Sequence, residues 1–259
     1  MIILLIIIFA ALAIVGFFYM KGAAGNIVGG LTTILLLISM VGLIYHDTAH
    51  WGMKTETTTT TKQIYSIAGT QAAYGVMLKE PFGTDSGNYI FMYKSDANDK
   101  DVTVNFLGNL KKLDTSDKNA SSSMKSWISN ILKNHVVETS KKSSSIKLVD
   151  GNTAQIVTKT SRYAWSNGFA QWLFSVGGEG GELKKETFTA EVPKTTWLVL
   201  TQDQMTALQK KAPEMAAAEK AEMAANPEAA LQAEALAKSD PTAYAALQVT
   251  QIKKAMGWN

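Results

Sequence analysis

The first 46 residues set the strongest constraint on this chain. Ile2 to Met20 is an unbroken uncharged run rich in Ile, Leu and Phe, and a second uncharged run extends from Gly22 to His46. Up to Met53 the only formal charges are Lys21 and Asp47. A helix rises about 1.5 Å per residue, so the first run covers close to the ~30 Å hydrocarbon core of a bilayer. The expectation is a transmembrane hairpin within residues 1–53, with spans at about 2–20 and 25–45 and a very short turn near Lys21. Aromatic and polar residues fall at the ends of the spans, where an interfacial belt belongs. The candidate membrane-interface residues are Tyr19, Lys21, Tyr45, His46, His50 and Trp51. The rival is a cleaved signal peptide followed by one anchor. That reading wants a basic leader and a shorter apolar core than this run offers. Gly25, Gly29 and Gly30 either let the two helices approach closely or merely loosen the start of the second.

A hairpin leaves the N-terminus and the large domain on one side. Lys21, the only charge in the turn, places that turn in the cytoplasm by the positive-inside rule. The expected location is therefore the cytoplasmic membrane, two-pass, with N-terminus and large domain extracytoplasmic. The chain as a whole is 18% charged with net charge +3, low for one soluble domain at the usual ~25%. A simple soluble enzyme does not fit this distribution. Nor does a polytopic transporter, because only one region is apolar enough to span lipid. Cysteine is absent, which excludes disulfides, thiolate metal sites and Cys nucleophiles. Arg162 is the sole arginine against a large excess of lysine, which argues against nucleic acid as a partner.

Residues 54–201 read as a β-rich soluble domain. The threonine run Thr57 to Thr61 is either a stalk or a first strand. Strand-like pieces follow at 73–79, 89–93, 102–107, 146–149, 154–163, 186–192 and 196–200, separated by turn clusters at 81–87, 96–99, 150–152 and 177–181. Short strands with turns between them suggest an antiparallel sandwich- or barrel-like fold. Asp150-Gly151-Asn152 is the best hairpin signal. Apolar residues at helical spacing predict helices over Ser121 to His135 and Gly168 to Val176. Residues 202–259 form a helical tail in which Pro213, Pro227 and Pro241 recur. Successive short Ala-rich helices, each opening at a proline, are expected. The fold class is thus membrane-anchored α+β.

Chemical motifs are sparse in this chain. His46 and His50, four apart with Asp47 between them, have helical metal-ligand spacing but lack a third ligand nearby, and helix-exit polar residues explain them better. Asp96 to Asp101 starts like a calcium loop but lacks its later Gly and Glu, so a hairpin turn is expected. The glycine cluster 177–181 lacks nucleotide-binding spacing. The body holds one His, His135, and no G-x-S-x-G motif. No catalytic, cofactor or metal residue is assigned. Tyr163, Trp165, Trp172 and Trp197, with Phe169, form a late aromatic cluster. Such residues are more often core, and otherwise contact a partner or ligand.

Asp47-Thr48-Ala49-His50-Trp51-Gly52-Met53-Lys54, Pro81-Phe82-Gly83-Thr84, Asn167-Gly168-Phe169 and Val192-Pro193-Lys194-Thr195-Thr196-Trp197 together resemble an uncharacterised two-helix membrane-anchored family of lactic-acid bacteria, a domain of unknown function. The resemblance covers roughly residues 1 to 210, and the Ala-rich tail belongs to some members only. It implies a bacterial envelope location and an accessory role beside a transporter, and it supplies no catalytic residues. The expected function is a non-enzymatic bacterial membrane protein that presents a β-rich domain outside the cytoplasmic membrane. Its partners would be the lipid bilayer and another membrane protein such as a transporter. The alternatives are an envelope domain binding sugar or peptide, and a cell-wall-directed hydrolase.

Overall fold

The structure, a computed structural model, describes residues 1–69, 72–82, 87–114, 120–135, 139–175 and 178–258. It divides into two compact units: Met1–Thr58 with Ser161–Lys184, and Thr59–Thr160 with Lys185–Asn259. The boundaries fall inside three strands, β1 (Met53–Gln63), β7 (Gln155–Trp165) and β8 (Leu183–Pro193).

The first unit opens with α1 (Ile2–Ile14), which passes into a π turn over Val15–Tyr19, and α2 (Ala23–Ala49). Both expected helices are present, and α2 continues past the expected end at Tyr45. Glycine sets their packing distance. A Cβ on Gly16 would lie 2.6 Å from the Gly29 nitrogen, and one on Gly29 would lie 2.8 Å from the Phe17 ring. A Cβ on Gly25 would collide with the carbonyls of Met20 and Gly16. Gly25 and Gly29 are therefore the close-approach residues, and Gly16 is their unforeseen counterpart on α1. Gly30 has nothing within 4 Å of an added Cβ, so it takes no part in the close approach. The unit also contains the start of β1, the end of β7, the short helix α4 (Gly168–Phe174) and the beginning of β8.

The second unit holds most of two sheets. One has the strand order β5-β4-β3-β2-β9, formed by β2 (Gly75–Phe82), β3 (Asn88–Tyr93), β4 (Val102–Phe106), β5 (Asn109–Leu113) and β9 (Trp197–Leu200). The other has the order β1-β7-β8-β6, with β6 spanning Lys142–Val149. The threonine run is thus a strand rather than a stalk. The expectation of an antiparallel sandwich or barrel needs correction. β2 pairs parallel with β9, as β6 does with β8, so the sheets are mixed, and neither closes. These pairs join strands that do not follow one another in sequence, so no turn fixes their direction. The same fact removes the hairpin expected at Asp150-Gly151-Asn152, which links β6 to a non-neighbour, β7. The tight hairpin is instead β4–β5, where Leu107 (φ 49) and Gly108 (φ 85) form the two-residue turn. The Asp96 segment joins the antiparallel pair β3–β4, as expected, and the Asn98 N–H donates to Asp96 Oδ1 at 2.9 Å. Of the turn expected over 81–87, residues 83–86 lie outside the described residues, as do Val176 and Gly177.

Phe91, Tyr93, Val104 and Phe106 from the first sheet share a core with Ile156, Phe188, Ala190 and Val192 from the second. Two polar groups within it are satisfied. Buried Ser144 on β6 accepts from the Tyr89 N–H and donates to the Tyr89 carbonyl, both at 2.7 Å, while its own N–H donates to Asn88 Oδ1. The Asn105 amide donates to the Tyr93 hydroxyl at 3.3 Å. Burial pushes that hydroxyl above the usual phenol range, against a smaller opposing pull from Asn105. The amphipathic helix expected near Ser121 is α3 (Ala120–Asn134), which packs Ile131, Met124 and Trp127 on this core.

The tail forms three helices: α5 (Gln202–Ala225), α6 (Pro227–Ser239) and α7 (Pro241–Met256). Thr201 and Gln204 make a reciprocal capping box at the start of α5. Asn226 and Asp240 accept from the Ala229 and Ala243 N–H groups, and in each case a proline occupies the first turn. The break expected at Pro213 does not occur, because α5 runs through it. Ala212 before it has no side chain to cap a new start, so the helix gives up one backbone hydrogen bond instead. Leu208, Val249 and Ile252 tie α5 and α7 to the core, so the tail packs as part of this unit.

Gly29→Leu should destabilise the helix pair by about 1–3 kcal/mol through backbone collision, while Gly30→Leu should leave it nearly unchanged. Thermal unfolding of the two variants in one detergent checks the contrast. Asp240→Ala should cost about 0.5–2 kcal/mol through loss of the cap, lowering Tm, whereas Asp240→Ser should retain most of it.

Candidate functional site

The densest polar and aromatic cluster of the first unit surrounds the last turn of α2. That helix ends because His50 adopts the left-handed conformation (φ 52, ψ 37), and Gly52 follows with φ 89. Glycine or asparagine usually takes such a position, because an L side chain costs about 1–2 kcal/mol there. The Trp51 N–H donates back to the Tyr45 carbonyl at 3.4 Å, and the chain turns into β1.

The reversal folds Trp51 back over His46. His46 Nδ1 lies 2.7 Å from the Trp51 carbonyl oxygen. A carbonyl only accepts, so Nδ1 carries the proton of this bond. The ring stacks on Phe174 at 4.2 Å and on Trp165 at 5.6 Å, and is only 3% exposed. Nε2 stands 3.0 Å from Glu179 Oε2. The contact is close but not aligned as a hydrogen bond, and neither atom has a hydrogen-bond partner among the described residues. One imidazole therefore links α2, the end of β7, α4 and the glycine loop that carries Glu179. Space for the stack comes from glycine: a Cβ on Gly180 would lie 2.7 Å from Trp165 Nε1, and one on Gly52 would lie 3.1 Å from the Ala170 Cβ.

His50 is held differently. Its ring packs on Tyr163 at 3.9 Å, and the Lys184 ammonium lies 5.3 Å from the Tyr163 ring centre. Lys184 also donates to the Thr55 hydroxyl at 2.9 Å. His50 Nδ1 is buried without a hydrogen-bond partner among the described residues. On the far side of the cluster Asn167 caps α4 by accepting from the Ala170 N–H at 2.8 Å, and Ser166 donates to the Gly52 carbonyl at 2.7 Å.

The sequence-derived candidates therefore separate. Tyr163 and Trp165 are half-buried wall residues of the cluster, and Trp172 on α4 is 49% exposed. Trp197 belongs to the other unit, where its ring covers Gly75 and lines an open pocket of about 250 Å³ with Tyr65, Tyr74 and Asn152. Tyr19, Lys21, Tyr45 and Trp51 are exposed, as interface residues would be. His46 departs from that group, being enclosed by aromatic rings. Sequence reasoning missed Glu179 and Phe174. A lone carboxylate in a glycine stretch carries no signal of its partner. Asp47 is exposed and His46 Nε2 faces Glu179, and no three His, Cys, Asp or Glu side chains converge among the described residues.

These features define an α+β protein with two long apolar N-terminal helices whose exit is closed by a histidine-centred aromatic cap. Residues 22–208 match the DUF4811 family, described as a domain of unknown function, and the chain belongs to that family. The match includes α2 and every residue of the cap, and leaves out α1, α6 and α7. No curated protein and no solved structure matches the chain.

His46→Ala should destabilise the protein by about 1–3 kcal/mol, because it strands a largely buried carboxylate. Combined with Glu179→Gln it should cost clearly less than the two single losses together, with a coupling of about 0.5–3 kcal/mol. A double-mutant cycle by thermal unfolding checks this, and strictly additive losses would show the two groups to be independent.

Proposed function

We propose that this chain is a non-enzymatic, two-pass protein of a bacterial cytoplasmic membrane that holds its β-rich domain on the extracytoplasmic side. There it serves as an accessory partner of another envelope or transport component. The outer faces of α1 and α2 carry this reading. Ile3, Leu4, Ile7 and Ile14 on α1, and Ile27, Leu31, Ile38 and Ile44 on α2, are each 45–68% exposed. Both segments, Ile2–Tyr19 and Ala23–Ala49, are long and apolar enough to cross a membrane. Water disfavours so wide an apolar surface, and lipid does not. At about 1.5 Å per residue α2 exceeds the hydrocarbon core, which puts its last turns, with Tyr45, at the headgroup level. Lys21 in the turn supports a cytoplasmic turn and an outside domain. The sequence resemblance supports an envelope of the lactic-acid-bacterial type and the accessory role.

The test has three parts. Alkaline carbonate should leave the protein in the membrane pellet; release would overturn membrane insertion. Protease added to intact protoplasts should remove the β-rich domain, and full protection would overturn the orientation. Crosslinking in cells should then recover a specific membrane partner, and recovery of this chain alone would count against the accessory role.

One observation favours a second reading, an envelope sugar- or peptide-binding domain. The pocket beside Trp197 combines aromatic walls from Tyr65, Tyr74 and Trp197 with the Asn152 amide. Aromatic faces with a few polar groups suit saccharide or peptide ligands. Wall saccharides and short peptides should shift the tryptophan fluorescence in a manner that Asn152→Ala weakens. An unchanged spectrum across both classes would count against this reading.

A further inference from the structure

We infer that α4 is an in-plane membrane anchor: Phe169 and Trp172 insert at the headgroup–acyl boundary of the bilayer that α1 and α2 span. The inference rests on the proposed membrane insertion and adds a third point of lipid contact.

The seven-residue helix is apolar on both sides. Ala170 and Phe174 face inward, where Phe174 meets His46 and the edge of Trp51 at 5.7 Å. Phe169 and Trp172, three residues apart and so on one face, point the other way. They are 69% and 49% exposed, with rings stacked 5.9 Å apart. Among the described residues most of Phe169 and half of Trp172 stay uncovered, and two adjacent exposed rings form an apolar patch rather than a scattered contact.

The position of α4 identifies the occupant. The Met1 amino group donates to the Leu173 carbonyl at 3.0 Å, so the last turn of α4 meets the start of α1. A Cβ on Gly52, three residues beyond α2, would touch Ala170 and Phe174. The helix thus lies at the end of the hairpin where α1 begins and α2 finishes. Tyr45 and Trp51, both more than half exposed, occupy the same end. Rings that are apolar over most of their surface, at that level, are the side chains a bilayer boundary takes up. The rings lie at the same end of the hairpin as exposed Tyr45 and Trp51, which favours the boundary of the bilayer that the hairpin spans over a separate protein partner.

The absence of cysteine makes site-specific labelling direct. Three full-length variants, Phe169→Cys, Ile34→Cys and Gly151→Cys, would carry a nitroxide label in vesicles of phosphatidylglycerol and phosphatidylcholine. Depth is read from oxygen against nickel-chelate accessibility. The Ile34 label should be deep and the Gly151 label aqueous. The Phe169 label should sit about 5–10 Å below the phosphates. An aqueous Phe169 label beside a deep Ile34 label would overturn the α4 inference alone. An aqueous Ile34 label would overturn the membrane reading and this inference with it. A Phe169 label shielded from both reagents would mean that a second copy of the chain covers α4, and would also overturn it.

Discussion

Much of the first unit depends on the burial of one imidazole. His46 sits in the last turn of a helix whose other turns carry apolar side chains outward, yet it is among the least exposed residues of that unit. Its two nitrogens and its ring meet four different groups: a carbonyl, a carboxylate and two aromatic rings. A buried polar ring is tolerable only when its nitrogens find partners. The turn after α2 supplies the carbonyl, the glycine-rich loop a carboxylate 3.0 Å away and α4 a stacking ring. The left-handed His50 follows from this, because the chain must reverse sharply to bring the Trp51 carbonyl over Nδ1. Without that reversal the helix would continue straight, and the aromatic cap would have no floor.

Elements with local causes were legible in the sequence. The helix pair could be read from two uncharged runs, α3 and α4 from apolar spacing, and most strands from β-branched and aromatic pieces between turns. The two later tail helices followed from Asn226 and Asp240 placed before prolines. What stayed hidden depends on residues far apart in the chain. The parallel pairing of β2 with β9 is fixed by packing across more than a hundred residues, not by a turn. Leu107 in a left-handed turn defies the usual Asn-Gly signal, and its burial in the core holds it there. The break assumed at Pro213 failed because a proline can be carried inside a helix whose remaining bonds hold it.

The candidate site was legible only in part. Tyr163, Trp165 and His50 stood out as residue types, but the partner that gives His46 its meaning lies more than 130 residues away in a glycine loop. Glycines mark these meetings in retrospect. Gly16, Gly52, Gly75 and Gly180 each leave room for a ring or a backbone that only the folded chain brings near.

The first unit is discontinuous: its opening stretch ends at Thr58 and its closing stretch begins at Ser161. Synthesis separates the two in time. A ribosome adding about 5–20 residues per second releases α2 roughly 6–26 s before α4 and the Glu179 loop exist. During that interval His46 and Trp51 have neither ring nor carboxylate to cover them. The hairpin must then be held by its own glycine contacts and its surroundings, and the cap snaps shut only when the returning strand emerges. A stop codon anywhere in the intervening stretch would leave a helix pair whose aromatic cap never closes.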